Sequence, residues 1–136
     1  KAFDPLYGTH HKFYGAMDYF YASSWVQGVS APGLWDNRIG LAFKASPKVA
    51  LQVNYHYFSA AQKPLLGGEK LSKGLGSEID TQVDWSIMKD VKLSAGYSFM
   101  LGTKTMDAVK GGNHSSWQDW GWVSLNINPK LFLAKW

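Results

Sequence analysis

Hydrophobic and polar positions alternate with a period of two along much of the chain. From Ser77 to Ile87 the odd positions carry Ile79, Thr81, Val83, Trp85 and Ile87, and the even ones carry Glu78, Asp80, Gln82, Asp84 and Ser86. That pattern predicts a strand with one greasy face and one polar, acidic face. Val91–Leu101 repeats it, with Val91, Leu93, Ala95, Tyr97, Phe99 and Leu101 against Lys92, Ser94, Gly96, Ser98 and Met100. A three-residue loop, Met88 to Asp90, keeps both greasy faces together and pairs Ile87 with Val91 and Trp85 with Leu93. Lys48–Phe58 sends Val49, Leu51, Val53, Tyr55 and Tyr57 to one side and Ala50, Gln52, Asn54 and His56 to the other. The strand before it, from about Leu34 to Lys44, turns out Ile39, Leu41 and Phe43, with Arg38, Gly40, Ala42 and Lys44 opposite. A tight turn at Ala45-Ser46-Pro47 pairs Phe43 with Val49 and Ile39 with Val53, and sets Asp36 beside His56. A last strand is expected from near Trp117 to about Asn128. Trp120 and Trp122 fall on its polar face, and a bulge near Gly121 is expected to swing one of them outward.

The connections alternate in length. Those at 45–47 and 88–90 are short, whereas 60–74 and 102–116 are long, polar and rich in Gly and Lys, and 3–33 is also long. In a meander this gathers the long loops at one end and the short turns at the other. The segment "GTHHKFYGAMDYFY", Gly8 to Tyr21, follows neither period and falls within the first long connection. It is expected to fold in toward the sheet as an ordered constriction loop, with Gly15 allowing close backbone approach.

Alternation alone does not say which solvent each face meets. A soluble sandwich wets its polar face, and a membrane barrel turns its apolar face to lipid. Three features favour the barrel. The strands are about as long as the roughly 9–11 residues that cross a bilayer at a tilt. The aromatics gather by depth: Tyr55, Tyr57, Tyr97 and Phe99 lie toward the long loops, and Phe43 and Trp85 toward the short turns, like two interfacial girdles. The loop asymmetry is that of short periplasmic turns and long extracellular loops. The chain also ends in an aromatic residue, Trp136.

Composition sharpens this picture in a few places. Aromatic residues make up 15% of the chain, including seven Trp, and helical periodicity is hard to find, which together suggest an all-β protein. There is no cysteine, which removes disulfides, thiolate metal sites and Cys nucleophiles. The net charge is +4, with Lys63, Lys70, Lys73, Lys104 and Lys110 in expected loops or turns, where lysines serve solvation better than nucleic-acid binding. No apolar run reaches the roughly 18 residues of a membrane helix, which leaves spanning by strands untouched. The first residue is Lys1 and no leader pattern follows it, so the expectation is of a processed chain or a piece of something longer.

Certain stretches also resemble a known family. "FDPLYGTHHKFYGAMDYF" (Phe3–Phe20), "LGSEID", "LSAGYSFML", "KGGNHSSW" and "WGWVSLNINP" are similar to segments of the alginate-export family of outer-membrane porins, most of all its Bacteroidetes-type members. The resemblance runs from about Phe3 to Pro129. It implies a large antiparallel up-and-down transmembrane β-barrel in the outer membrane of a Gram-negative cell, with a charged lumen that passes anionic polysaccharide or small polar solutes. Members of the family run to several hundred residues, and about five spanning strands cannot close a wide barrel. The chain would then be the C-terminal segment of one barrel domain. Residues 1–33 would be the aromatic extracellular loop, 34–128 the meander and 129–136 the end. Its partners would be lipid, the translocated solute and the remaining strands. A substrate is not inherited through so partial a match.

The polar positions supply candidate sites. Arg38, Lys44, Lys92, Glu78, Asp80, Asp84, His56 and Asp36 are expected to line one wall, where the cations facing the carboxylates would set a transverse field on charged solutes. Burying these charges dry would cost several kcal/mol each unless paired, a cost that a wet lumen removes. His11, Lys12, Tyr14 and Asp18 are the candidates of the constriction loop. Adjacent His10 and His11 would point to opposite faces of a strand, a poor chelate, so neither a metal nor any other cofactor is expected. No G-x-S-x-G context appears, and Glu78 with Asp80 reads as a pair of hydrated carboxylates before a glycosidase pair, so no enzyme activity is expected. Two alternatives remain: a soluble or secreted β-barrel that stacks sugars on Trp117, Trp120 and Trp122, and a non-conducting structural subunit of the membrane.

Overall fold

The computed structural model describes residues 14–20 and 33–129. His10, His11, Lys12 and Trp136 lie outside the described residues. Five long strands form one antiparallel sheet: β1 (Leu34–Ser46), β2 (Val49–Ala60), β5 (Gly74–Met88), β6 (Val91–Gly102) and β7 (Gln118–Ile127). The connection between β2 and β5 holds a two-stranded ribbon of β3 (Leu65–Leu66) and β4 (Glu69–Lys70), and a short helix, α1 (Lys104–Lys110), precedes β7. The order is β1-β2-β5-β6-β7, an up-and-down meander in which β1 and β7 are open edges among the described residues. The all-β antiparallel reading therefore holds. The five strands do not close on themselves among the described residues.

The two short turns differ from expectation in one shared way. Phe43 pairs with Leu51 and Ile39 with Tyr55, not with Val49 and Val53, because the turn is only Pro47-Lys48 and an irregularity lies between Lys44 and Ser46. Ser46 Oγ accepts from the backbone N–H of Lys48 at 3.2 Å and of Val49 at 3.1 Å, which fixes the turn. Likewise Met88, not Ile87, pairs with Val91 across Lys89-Asp90, with a bulge between Ser86 and Met88, while Trp85 does pair with Leu93. Asp90 holds the left-handed conformation, φ 63°, that such a turn demands. A two-residue turn plus one bulged residue keeps the same face parity as a three-residue loop. The β6–β7 register runs unbroken from Val91–Ile127 to Met100–Gln118, so the bulge expected near Gly121 is absent and both Trp120 and Trp122 stay on the polar face.

Registered across the sheet, the apolar face reads in rows. Phe43, Leu51, Val83, Ala95 and Val123 form an aliphatic band with one ring at its edge, and Val49, Trp85, Leu93 and Leu125 lie nearer the short turns. Nearer the long connections come Tyr55, Phe99, Tyr57 and Trp117, with Phe99 stacked on Trp117 at 5.1 Å. No described residue covers this face: Leu41 is 73% exposed and Val123 74%.

The buried core lies on the opposite face, at the long-connection end. Phe58, Ala60, Leu75 and Met100 pack with Phe20 and with Met106 and Val109 of α1. Here the even positions, polar in mid-strand, turn apolar. The helix starts at Thr103, whose side chain accepts from the Met106 N–H, and ends at Gly111 with φ 76°. The connection over 102–116, read from the sequence only as long, polar and rich in Gly and Lys, thus carries a helix.

Candidate functional site

The mid-sheet polar face is the candidate site. Two glycines make room on it. A Cβ at Gly40 would meet Asn54 Oδ1 at 2.5 Å, and a Cβ at Gly96 would clash with the Trp122 indole, 2.3 Å from its Nε1, so each lets a larger neighbour lie close on the sheet. Arg38 Nη2 donates to Asn54 Oδ1 at 3.0 Å rather than to a carboxylate.

Toward the long connections, three strands, β1, β2 and β5, bring an acidic cluster together. His56 and Glu78 are paired across β2 and β5, as are Asn54 and Asp80. His56 Nδ1 lies 2.9 Å from both oxygens of Asp36, and its Nε2 lies 3.6 Å from Asp80 Oδ2. The expected Asp36–His56 neighbourhood is present, though across a diagonal, since Arg38 is the residue directly opposite. The imidazole is 4% exposed and stacks on Phe58 at 5.5 Å. Both ring nitrogens face carboxylates, so neither is placed to activate a hydroxyl.

Residues 14–20 lie over this cluster. Tyr14, Gly15 and Asp18 have positive φ, at 61°, 87° and 57°. The resulting tight fold aims consecutive backbone N–H groups at the carboxylates, with Ala16 donating to Asp80 Oδ2 at 3.3 Å and Met17 to Glu78 Oε1 at 2.8 Å. A Cβ at Gly15 would sit 2.5–2.6 Å from the Glu78 carboxylate, so only glycine permits the approach. Tyr19 Oη donates to Gln118 Oε1 on β7, and Phe20 packs on Phe58 at 4.8 Å. Lys110 of α1 donates to the Tyr19 carbonyl and lies 5.8 Å from the Phe20 ring. Burial lowers the Lys110 pKa from its usual value; burial, and then the charge of Glu78, raises that of Tyr19. Of the four loop candidates, Tyr14 and Asp18 are described, packed around the segment's turns. Lys110, Gln118 and the helix were not among the expected site residues. The Thr103 and Gly111 caps were the sequence signal for the helix.

Toward the short turns the charges are different. Asp84 accepts from Ser94 Oγ at 2.6 Å and Gln82 Nε2 at 3.1 Å, and pairs with Lys92 at 3.2 Å. Lys44, Lys48 and Lys92 line a groove of about 250 Å³ beside Asp84. The balance of charge therefore shifts along the strands: Asp36, Glu78 and Asp80, with Arg38 among them, lie toward one end, and Lys44 and Lys92, with Asp84 paired to Lys92, toward the other.

Between these ends lies a cavity of about 380 Å³ lined by Asn54, Asp80, Gln82, Ser98, Trp120 and Trp122, with Ala16 at one side. The two indoles stand 6.4 Å apart at 39°. Trp117 belongs to the other face, stacked on Phe99, so the three tryptophans do not form one platform. Among the described residues no group of three acidic or histidine side chains is arranged to hold a metal ion. No family model, no curated protein and no solved structure matches the chain.

Proposed function

We propose that this chain supplies five strands to the wall of an outer-membrane β-barrel that conducts polar solutes. The observation that carries the reading is the apolar face: a band across all five strands lies exposed, while most charged and amide groups of the strands gather on the reverse, Asn37 and Asp119 standing on the apolar face toward its long-connection end. In water each large side chain kept from burial forfeits about 1.5–3 kcal/mol. A handful of them rivals the roughly 5–15 kcal/mol that holds a whole domain together. In lipid the same face is in its preferred solvent, and the polar face lines a wet lumen.

The open edges of β1 and β7 fit the same reading, since unpaired backbone groups in a bilayer require further strands to close the barrel. The long connections would lie outside the cell and the short turns in the periplasm. Residues 14–20 would narrow the lumen at the outer end. The acidic cluster there and the lysines at the inner end would set a field along the pore, acting on charged solutes in transit. The amide, hydroxyl and charged groups along the polar wall suit a polar solute as cargo.

The test is single-channel recording of the full-length protein in planar bilayers. Discrete conductance steps are expected, with a reversal potential under a salt gradient that shifts toward cation selectivity in the double variant Arg38→Glu, Lys44→Glu. Absence of conductance would leave a structural membrane subunit. A protein monodisperse in plain buffer without detergent would overturn the membrane reading and favour a soluble sugar-binding barrel.

A further inference from the structure

We infer that the cavity at Trp120 and Trp122 is a binding subsite for an uncharged pyranose sugar, placed mid-way along the polar wall. The inference rests on the lumen reading only for its place in transport; the site itself is built from residues of this face. The cavity, about 380 Å³, falls within the roughly 300–1,000 Å³ of small-molecule sites. Two indoles share its lining at 6.4 Å and 39°, presenting broad apolar surface to one side of a ring-shaped ligand. The absence of a side chain at Gly96 lets Trp122 lie against the sheet. Around the indoles stand Asn54, Gln82, Ser98 and Asp80, which together offer hydrogen-bond donors and acceptors of both kinds. A pyranose has the matching chemistry, with axial C–H groups on its flat faces and hydroxyls around its rim.

The charge in the lining selects among sugars. Asp80 is its ionisable side chain, and it already faces His56 and the Ala16 N–H. The lysines of the turn end line a different groove. A uronate carboxylate in the cavity would meet Asp80, while the cation beside it, Arg38, is bound to Asn54 and does not itself line the cavity, so a neutral ring is favoured over an acidic one.

The experiment is titration of the full-length protein in detergent micelles, read by tryptophan fluorescence and calorimetry, with maltose, cellobiose, glucuronate and choline as probes. Saturable binding of at least one neutral disaccharide is expected, tighter than glucuronate by about tenfold. Trp122→Ala should weaken it by about tenfold, whereas Trp122→Phe should retain part of it. Gly96→Ala, which keeps every hydrogen-bonding group but pushes the indole into the cavity, should weaken it as Trp122→Ala does. Asp80→Asn should narrow the gap between glucuronate and the neutral sugar. No saturable binding of either disaccharide, binding indifferent to both Trp122→Ala and Gly96→Ala, or tighter binding of choline or glucuronate would overturn the inference. Sugar binding without conductance sinks the channel and leaves the subsite standing, and conductance without sugar binding does the reverse.

Discussion

Gly15 shows how a single residue sets the position of a whole segment. Its φ of 87° and the Glu78 carboxylate, 2.5 Å from where a Cβ would be, allow no other side chain without displacement. Gly15→Ala should loosen residues 14–20 from the sheet by roughly 1–3 kcal/mol. The expected readout is faster hydrogen exchange at the Ala16 and Met17 amides, with exchange in mid-strand β5 unchanged; equal acceleration in β5 would mean the sheet itself had been damaged. His56 carries a different load. His56→Ala removes the hydrogen bond to Asp36 and the stack on Phe58, and leaves two acidic side chains without their shared neighbour. A loss of about 2–3 kcal/mol is expected from the midpoint of urea unfolding, and Asp36→Asn should cost less because an amide oxygen still accepts. That Gly15 would permit a close approach was legible in the sequence. Its target was not, because Glu78 is distant along the chain and meets it only once the meander has formed.

At the level of elements, the five strands were legible and the details of their turns were not. Alternation fixes which face a residue takes, so a shift of two residues leaves every side chain on its proper face. Phe43 can meet Val49 or Leu51 with no change in pattern, and the choice fell to Ser46, whose hydroxyl caps the Pro47-Lys48 turn. Ser46→Ala should lower stability by about 1 kcal/mol. In the second turn Asp90 occupies the left-handed region, φ 63°, so Asp90→Val should cost about 1–2 kcal/mol while Asp90→Gly should be tolerated. Equal unfolding midpoints for those two variants would show that the backbone conformation of Asp90 is not what the turn requires. The helix α1 was not legible in the hydrophobic pattern because two turns of helix are too short for a periodic signal, although Thr103 and Gly111 are a recognisable pair of caps.

At the scale of the molecule, the sheet is greasy where it is exposed and polar over the middle of its other face. Val83 and Val123 sit in the aliphatic row of the apolar face, at 39% and 74% exposure. If that face meets lipid, Val83→Arg should cost about 2–4 kcal/mol at the bilayer midplane, seen as reduced folding into phospholipid vesicles. Gln82→Arg, one residue along and on the polar face, should fold nearly as well as the parent. Equal folding of both variants in vesicles would mean that the face does not contact lipid.

What the sequence determined by itself is the partition of side chains between two faces, the number and approximate ends of the long strands, and the grouping of long connections at one end. These follow from a period of two, which is local and needs no knowledge of what a strand packs against. What only the tertiary structure decided is how distant residues meet: Asp36, already expected beside His56, reaches it along a diagonal, Asp80 and Glu78 lie under the amides of Ala16 and Met17, and Trp120 and Trp122 stand together while Trp117 turns away. It also decided where the core lies. Phe58 and Met100 occupy positions that read as polar-face, and they are buried because α1 and Phe20 close over that end of the sheet. The physical reason is the same in each case. Pairing register, bulges and the return of a distant segment are set by a few backbone hydrogen bonds and close contacts between parts far apart in the chain, and alternation is blind to all of them.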